Sequence, residues 1–216
     1  MGRLSLNKQY FTNSLVTSKK VKEEIDLGLK LLNSVDHKIV SFFGGHKVKP
    51  GSKTYKHGEN LAYTLGKKGF AIVSGGGPGI MEAANLGAMR AHVPSIALRG
   101  KLIKHETVRG NMYTHKAAFQ FLFVRRFILS IKSEALVFYP GGFGTLNELF
   151  EYTVLMQLGI ADKVPIILVD KSYWKGMLTW IKTELVNRNL LKGKADIDCL
   201  YVTDDLNSIV KKIIRG

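Results

Sequence analysis

The residues best placed to do chemistry lie in one run: Pro140-Gly141-Gly142-Phe143-Gly144-Thr145-Leu146-Asn147-Glu148. An apolar stretch, Ala135 to Tyr139, leads into it and reads as a buried strand. An amphipathic stretch, Leu149 to Leu158, leaves it and reads as a helix. A glycine turn between a strand and a helix presents unpaired backbone N–H groups and the positive end of a helix dipole. Both suit a phosphate group. Glu148 follows about one helical turn in. A carboxylate repels a phosphate, so its use there would be chemistry on the rest of the ligand. The plainer account is that an acid near a helix start is favoured by the dipole alone.

Two further glycine clusters follow strand-like runs. Gly44-Gly45-His46 ends Lys38 to Phe43, and Ser74-Gly75-Gly76-Gly77-Pro78-Gly79 ends Phe70 to Val73. In a parallel sheet all three turns fall on one edge, where α/β proteins hold nucleotides. Arg125-Arg126 lies between Phe123-Val124 and Phe127-Ile128, whose apolar character implies burial, so one arginine of the pair is expected to face the pocket. Glu82, at the second turn, either contacts a ribose hydroxyl or is a helix-start acid. The dinucleotide fingerprint G-x-G-x-x-G fails at Ile80, and no phosphate-loop G-x-x-x-x-G-K-[ST] run exists. The histidines show no metal-ligand spacing.

The elements that must position these groups alternate along the chain. Helices are expected over Ser18–Val35, Thr54–Lys68, Ile80–Ala91, Tyr113–Ser130, Trp174–Asn187 and Asp204–Ile214. Strands are expected over Lys38–Phe43, Phe70–Val73, Pro94–Leu98, Ala135–Tyr139, Val164–Val169 and Leu200–Val202. Gly28 shares the apolar side of the first helix, a place for a close approach by another backbone. Arg99–Met112 is expected to be a loop bordering the pocket. The pattern predicts an α/β, Rossmann-like, doubly wound and mostly parallel sheet with helices on both faces. Residues 1–36 form an N-terminal arm and helix, and 37–216 a single nucleotide-binding domain.

Composition narrows the partners. The chain has 216 residues, 45% hydrophobic and 23% charged, as in ordinary globular proteins. Its net charge of +15 favours anionic ligands. The positive charges are spread along the chain, so a solvated surface accounts for most of them. A single cysteine, Cys199, excludes an internal disulfide and a cysteine-based zinc cage, and a reducing cytoplasm fits. No run is long and apolar enough for a membrane span. Met1 to Lys22 is basic without the apolar core of a signal peptide, and Leu6 breaks a myristoylation motif at Gly2.

Residues 70–151 resemble the Lonely Guy (LOG) family, known by P-G-G-x-G-T-x-x-E and an upstream Arg-Arg/Lys pair. Here these are Pro140 to Glu148 and Arg125-Arg126. The run Gly75 to Asn85, Tyr173-Trp174 and Val202-Thr203-Asp204-Asp205 resemble the longer bacterial branch. The resemblance implies a phosphoribohydrolase, which splits a nucleoside 5′-monophosphate, AMP-like or a cytokinin riboside monophosphate, into free base and ribose 5-phosphate. It implies Glu148 and Arg125 as catalytic. The substrate would be held by Gly141, Gly142, Gly144 and Thr145, with Gly44, Gly45, Gly76, Gly77, Glu82 and Arg126. It implies a homodimer or larger homo-oligomer, each pocket completed by the partner. No metal and no cofactor are called for. An older family label, lysine decarboxylase, finds no convincing pyridoxal phosphate lysine in these residues.

Three departures bear on substrate choice: Gly45 where the family often has Ser, Asn147 where an acid is common, and Arg99 where an uncharged residue is usual. Two other function classes share this fold. One is a carrier that binds a nucleotide-like cofactor without turnover. The other is a single-stranded nucleic-acid binder, but no exposed-looking stretch interleaves aromatic with basic residues, so nucleic acid is not expected.

Overall fold

A computed structural model describes residues 14–103, 112–191 and 196–215. Its elements run α1 (Ser14–Asn33), β1 (Lys38–Phe43), α2 (Lys53–Gly66), β2 (Phe70–Ser74), α3 (Ile80–Ala91), β3 (Ser95–Gly100), β4 (His115–Phe119), α4 (Leu122–Ser130), β5 (Ser133–Phe138), α5 (Phe143–Gln157), β6 (Ile166–Leu168), α6 (Lys171–Trp180), β7 (Leu200–Val202) and α7 (Leu206–Arg215). A π-helical turn, Ile181–Val186, extends α6.

Among the described residues the strands form one sheet in the order β4-β3-β2-β1-β5-β6-β7, and every pairing is parallel. The central strands are buried on both faces, so their sequences are mostly apolar rather than alternating. Ile39 and Phe43 point to one face, with Leu32 of α1, Val124 and Ile128 of α4, Tyr152 of α5 and Trp174 of α6. Val40 and Phe42 point to the other, with Leu61 of α2, Ala84 of α3 and Ile209 of α7. The chain winds outward from β1 to β4, returns to the centre at β5, and winds the other way. The reversal lies between β1 and β5. Such a switch point opens a crevice beyond the strands' C-terminal ends.

Close helix packing follows from small residues. A Cβ on Gly87 of α3 would meet the Glu59 carbonyl of α2 at 2.3 Å. Gly28 of α1 is also in tight contact, but with the Ile128 side chain at 2.6 Å rather than with a backbone. The α2 helix starts at Ser52, whose hydroxyl accepts from Tyr55 N at 3.2 Å.

Three further expectations need correcting. Tyr113–Ser130 is not one helix: His115–Phe119 is the edge strand β4, and only Leu122–Ser130 is helical. Ala117 and Phe119 are buried while Lys116 and Ala118 are less so. Pairing with β3, from Ile96–His115 to Gly100–Phe119, outweighs the helix preference of Ala117-Ala118. The helix after the glycine turn begins at Phe143, not Leu149. Gly144 and Thr145 therefore lie within its first turn. The loop expected over Arg99–Met112 gives up Arg99 and Gly100 to β3, and residues 104–111 fall outside the described residues.

Candidate functional site

The crevice between β1 and β5 holds a cavity of about 310 Å³. Its wall takes Gly44 and Gly45 from the end of β1, Gly75 from the end of β2, Arg125 and Arg126 from α4, and Gly142, Gly144, Thr145 and Glu148 from α5. The two central turns touch directly: Gly45 N donates to Pro140 O at 2.8 Å. Side chains have no room there. A Cβ on Gly44 would lie 2.9 Å from Ile80, and one on Gly79, whose φ is 73°, would lie 2.3 Å from the Gly45 carbonyl.

The α5 N-terminus is the electropositive end of the crevice. Gly142 is its N-cap with an extended φ of −94° and no side-chain cap. A Cβ on Gly142 or Gly144 would meet nothing within 4 Å, so both open onto free space. Gly141 is not in the wall, and an added Cβ there would sit 2.2 Å from Thr145 Oγ1. Thr145 is buried. This is the geometry that suits a phosphate at a helix start.

Arg125 is buried on α4 although it carries a charge. Its Nε donates to Leu98 O at 2.7 Å, and its Nη2 donates to Gly75 O at 3.2 Å. The guanidinium thus ties the ends of β2 and β3 together while it faces the cavity. Arg126 pairs with Glu151 of α5, and Tyr152 donates its hydroxyl to Arg126 O at 2.8 Å. Burial pushes the Tyr152 hydroxyl well up, and the nearby carboxylates of Glu148 and Glu151 add to this. Glu148 itself is half-buried in the cavity wall.

The remaining expected residues lie apart. Gly76 and Gly77 are buried and not in the wall. The Gly76 N–H is taken by Ser74 Oγ at 3.0 Å. Ser74 also donates to Asn85 Oδ1 at 2.5 Å, and Asn85 donates to Ser95 Oγ at 2.8 Å. This buried polar chain shapes the second glycine turn. Glu82 is not in the wall either. It stands beside Tyr55 of α2, whose hydroxyl is pushed up to about 12 by burial first and by the Glu82 carboxylate next.

Sequence reasoning missed Met81, Leu122 and Phe143 in the apolar part of the wall, whereas Ile103 belongs to the segment from Arg99 to Met112 expected to border the pocket. Met81 follows the second glycine cluster, Phe143 lies inside the third and Leu122 precedes Arg125, which is the only signal that could have found these three. Phe143 is the most exposed large hydrophobic described, at 92%. A larger cavity of about 1200 Å³ opens beside the N-terminal ends of β1 and β5, near Lys38 and Ser133. It touches none of the glycine turns and lies at the wrong sheet edge for a nucleotide.

The model of a family described as "possible lysine decarboxylase" matches residues 81–213. A cytokinin riboside 5′-monophosphate phosphoribohydrolase of Mycobacterium marinum is 24% identical over 153 residues, 70% of this chain and 81% of that protein. A probable enzyme of the same name from rice, Oryza sativa subsp. japonica, is 28% identical over 167 residues, 75% of this chain and 65% of that protein. The match spans 54% of an Arabidopsis thaliana relative of the same name. Among solved structures, a molybdenum cofactor binding protein from Rippkaea orientalis superposes with a TM-score of 0.62 at 19% identity, over 83% of this chain and 96% of that one. DNA processing protein A of Helicobacter pylori, a single-stranded DNA binder, superposes at 0.51 and 16% identity, over 86% and 83%. At such identities these two show a shared fold alone. The family match covers more than half of the sequence and includes the glycine turn and Glu148: the chain belongs to the possible lysine decarboxylase, or LOG, family.

Proposed function

We propose that this protein is a nucleoside 5′-monophosphate phosphoribohydrolase. The observation that carries the reading is the meeting of Glu148, Arg125 and the open α5 N-terminus in one cavity at the switch point of the sheet. The 5′-phosphate binds the N–H groups from Gly142 to Thr145, with the positive helix end behind them. The ribose then lies over Glu148. Breaking the bond from the anomeric carbon to the base nitrogen leaves positive charge on the ring. The Glu148 carboxylate stabilises that charge and orients or deprotonates the attacking water. Arg125 holds the nucleotide or stabilises the departing base. The names of the curated relatives support the same reaction.

The working form is a homodimer or larger homo-oligomer. Phe123 and Phe127 of α4 with Ile131 at its C-cap make an exposed apolar stripe, and Phe150 and Val154 of α5 with Leu158 at its C-cap make another. The two helices are joined by the Arg126–Glu151 pair, so a partner docking there would close the cavity's flank.

The test is to incubate the protein with AMP, GMP, CMP, UMP and a cytokinin riboside monophosphate and assay free base and ribose 5-phosphate together. Equal release of both supports the reading and ranks the bases. Nucleotide bound without release of either product would assign a carrier instead.

A further inference from the structure

We propose that Tyr173, on α6, is a positioning residue that sets the phosphate-binding turn. This rests on the phosphoribohydrolase reading only in taking the α5 N-terminus as the phosphate seat. The Tyr173 hydroxyl donates to Gly141 O at 2.5 Å. That carbonyl and the N–H of Gly142 belong to one peptide unit. In a planar trans peptide the two point in opposite directions, and no cis peptide occurs among the described residues. Gly142 lines the cavity and Tyr173 does not. Fixing the carbonyl on the outer side therefore keeps the Gly142 N–H on the cavity side.

The arrangement matters because this peptide joins two glycines. With no side chain on either residue, rotation of the unit meets little steric resistance. The rotated unit would aim a carbonyl oxygen at the phosphate and withdraw a donor. A hydrogen bond to the carbonyl also polarises the peptide and strengthens its N–H as a donor.

Tyr173 is held firmly enough for this work. Its own N–H donates to Asp170 Oδ1 at 3.0 Å, which caps α6. The N–H groups of Asp170 and Lys171 donate to Asp204 Oδ1 at 2.6 and 3.1 Å. Next to it Trp174 is fully buried, with its indole N–H on Val169 O at 2.8 Å, and the Tyr173 ring stands edge-on to it at 4.7 Å. The other side of the turn is fixed as well: Tyr139 OH meets His57 Nδ1 at 2.9 Å. None of these contacts touches the cavity wall.

The experiment compares wild type with Tyr173→Phe, which keeps the ring and removes the hydroxyl. Kd is measured by calorimetry for AMP, ribose 5-phosphate and adenosine, with kcat and KM for AMP. The variant should bind AMP and ribose 5-phosphate about five- to tenfold more weakly, the size of one hydrogen bond. Adenosine binding should be unchanged, KM should rise more than kcat falls, and the melting temperature should hold, as for most surface substitutions. Equal Kd values for the phosphate ligands, or an equal loss for adenosine, would overturn the assignment. Wild type that binds AMP but releases no base would defeat the hydrolase reading and leave this comparison intact. Wild type that binds neither phosphate ligand would remove the seat and defeat both.

Discussion

Arg125 reaches across the sheet edge to Gly75, with Nη2 at 3.2 Å from the glycine's carbonyl oxygen and 2.2 Å from where a Cβ would stand. Gly75 is a glycine because the guanidinium occupies its side-chain space. Gly75→Ala should therefore displace Arg125 and lower base release by at least about tenfold, with an overpacking cost of about 1–3 kcal/mol. Arg125→Met should do the same by removing the group and leaving the Leu98 and Gly75 carbonyls short of a donor. Since both act on one interaction, the double variant should lose much less than the sum. Steady-state rates of the three variants check this, and full additivity would contradict it.

Glu24 joins α1 to the same helix. It is a buried carboxylate that accepts from Gln120 N at 2.7 Å and Phe121 N at 3.1 Å, with Lys101 Nζ at 3.4 Å. It caps α4 from outside, just before the turn that carries Arg125. Glu24→Ala should cost about 2–4 kcal/mol, because buried N–H groups lose a charged acceptor. Chemical denaturation measures this directly. A loss under about 0.5 kcal/mol, typical of a surface site, would show that α1 does not fasten α4.

Gly141 and Gly144 should separate packing from binding. Gly141→Ala forces a Cβ onto Thr145 and should reduce both stability and nucleotide affinity. Gly144→Ala enters free space within a helix, so stability should hold or rise by about 0.5–1 kcal/mol. Its methyl group at the cavity wall should still weaken AMP. Melting curves and calorimetry on the two variants give the comparison.

Light scattering at micromolar concentration should give a dimer mass or larger. Phe127→Glu places a charge in the apolar stripe of α4 and should yield monomer with unchanged helix content. A monomeric wild type would refute the assembly.

Much of this was legible in the sequence, and the limits have physical causes. Strands β1 and β7 and helix α3 match their expected bounds, because short β-forming runs mark the strands, Gly44 ends β1 and Gly79 precedes α3. The three glycine turns and Arg125 pointed to one edge, since a parallel sheet permits little else. The strand β4 was hidden because its two alanines favour a helix in isolation and become strand only by pairing with β3. Gly76 and Gly77 read like Gly75, yet only Gly75 reaches the wall, because Ser74 and Asn85 consume the turn's polar groups elsewhere. Glu24 and Tyr173 act on residues 96 and 32 positions away, and nothing local announces such contacts.

In the proposed reaction Glu148 acts on bound nucleotide and is not there merely as a helix-start acid. The most direct measurement pairs AMP turnover with AMP affinity in wild type and Glu148→Gln. In the variant kcat should fall by about 10²–10⁴-fold, the worth of a positioned acid–base group, while Kd stays within about threefold, because the phosphate seat is untouched. Turnover retained in the variant would contradict it.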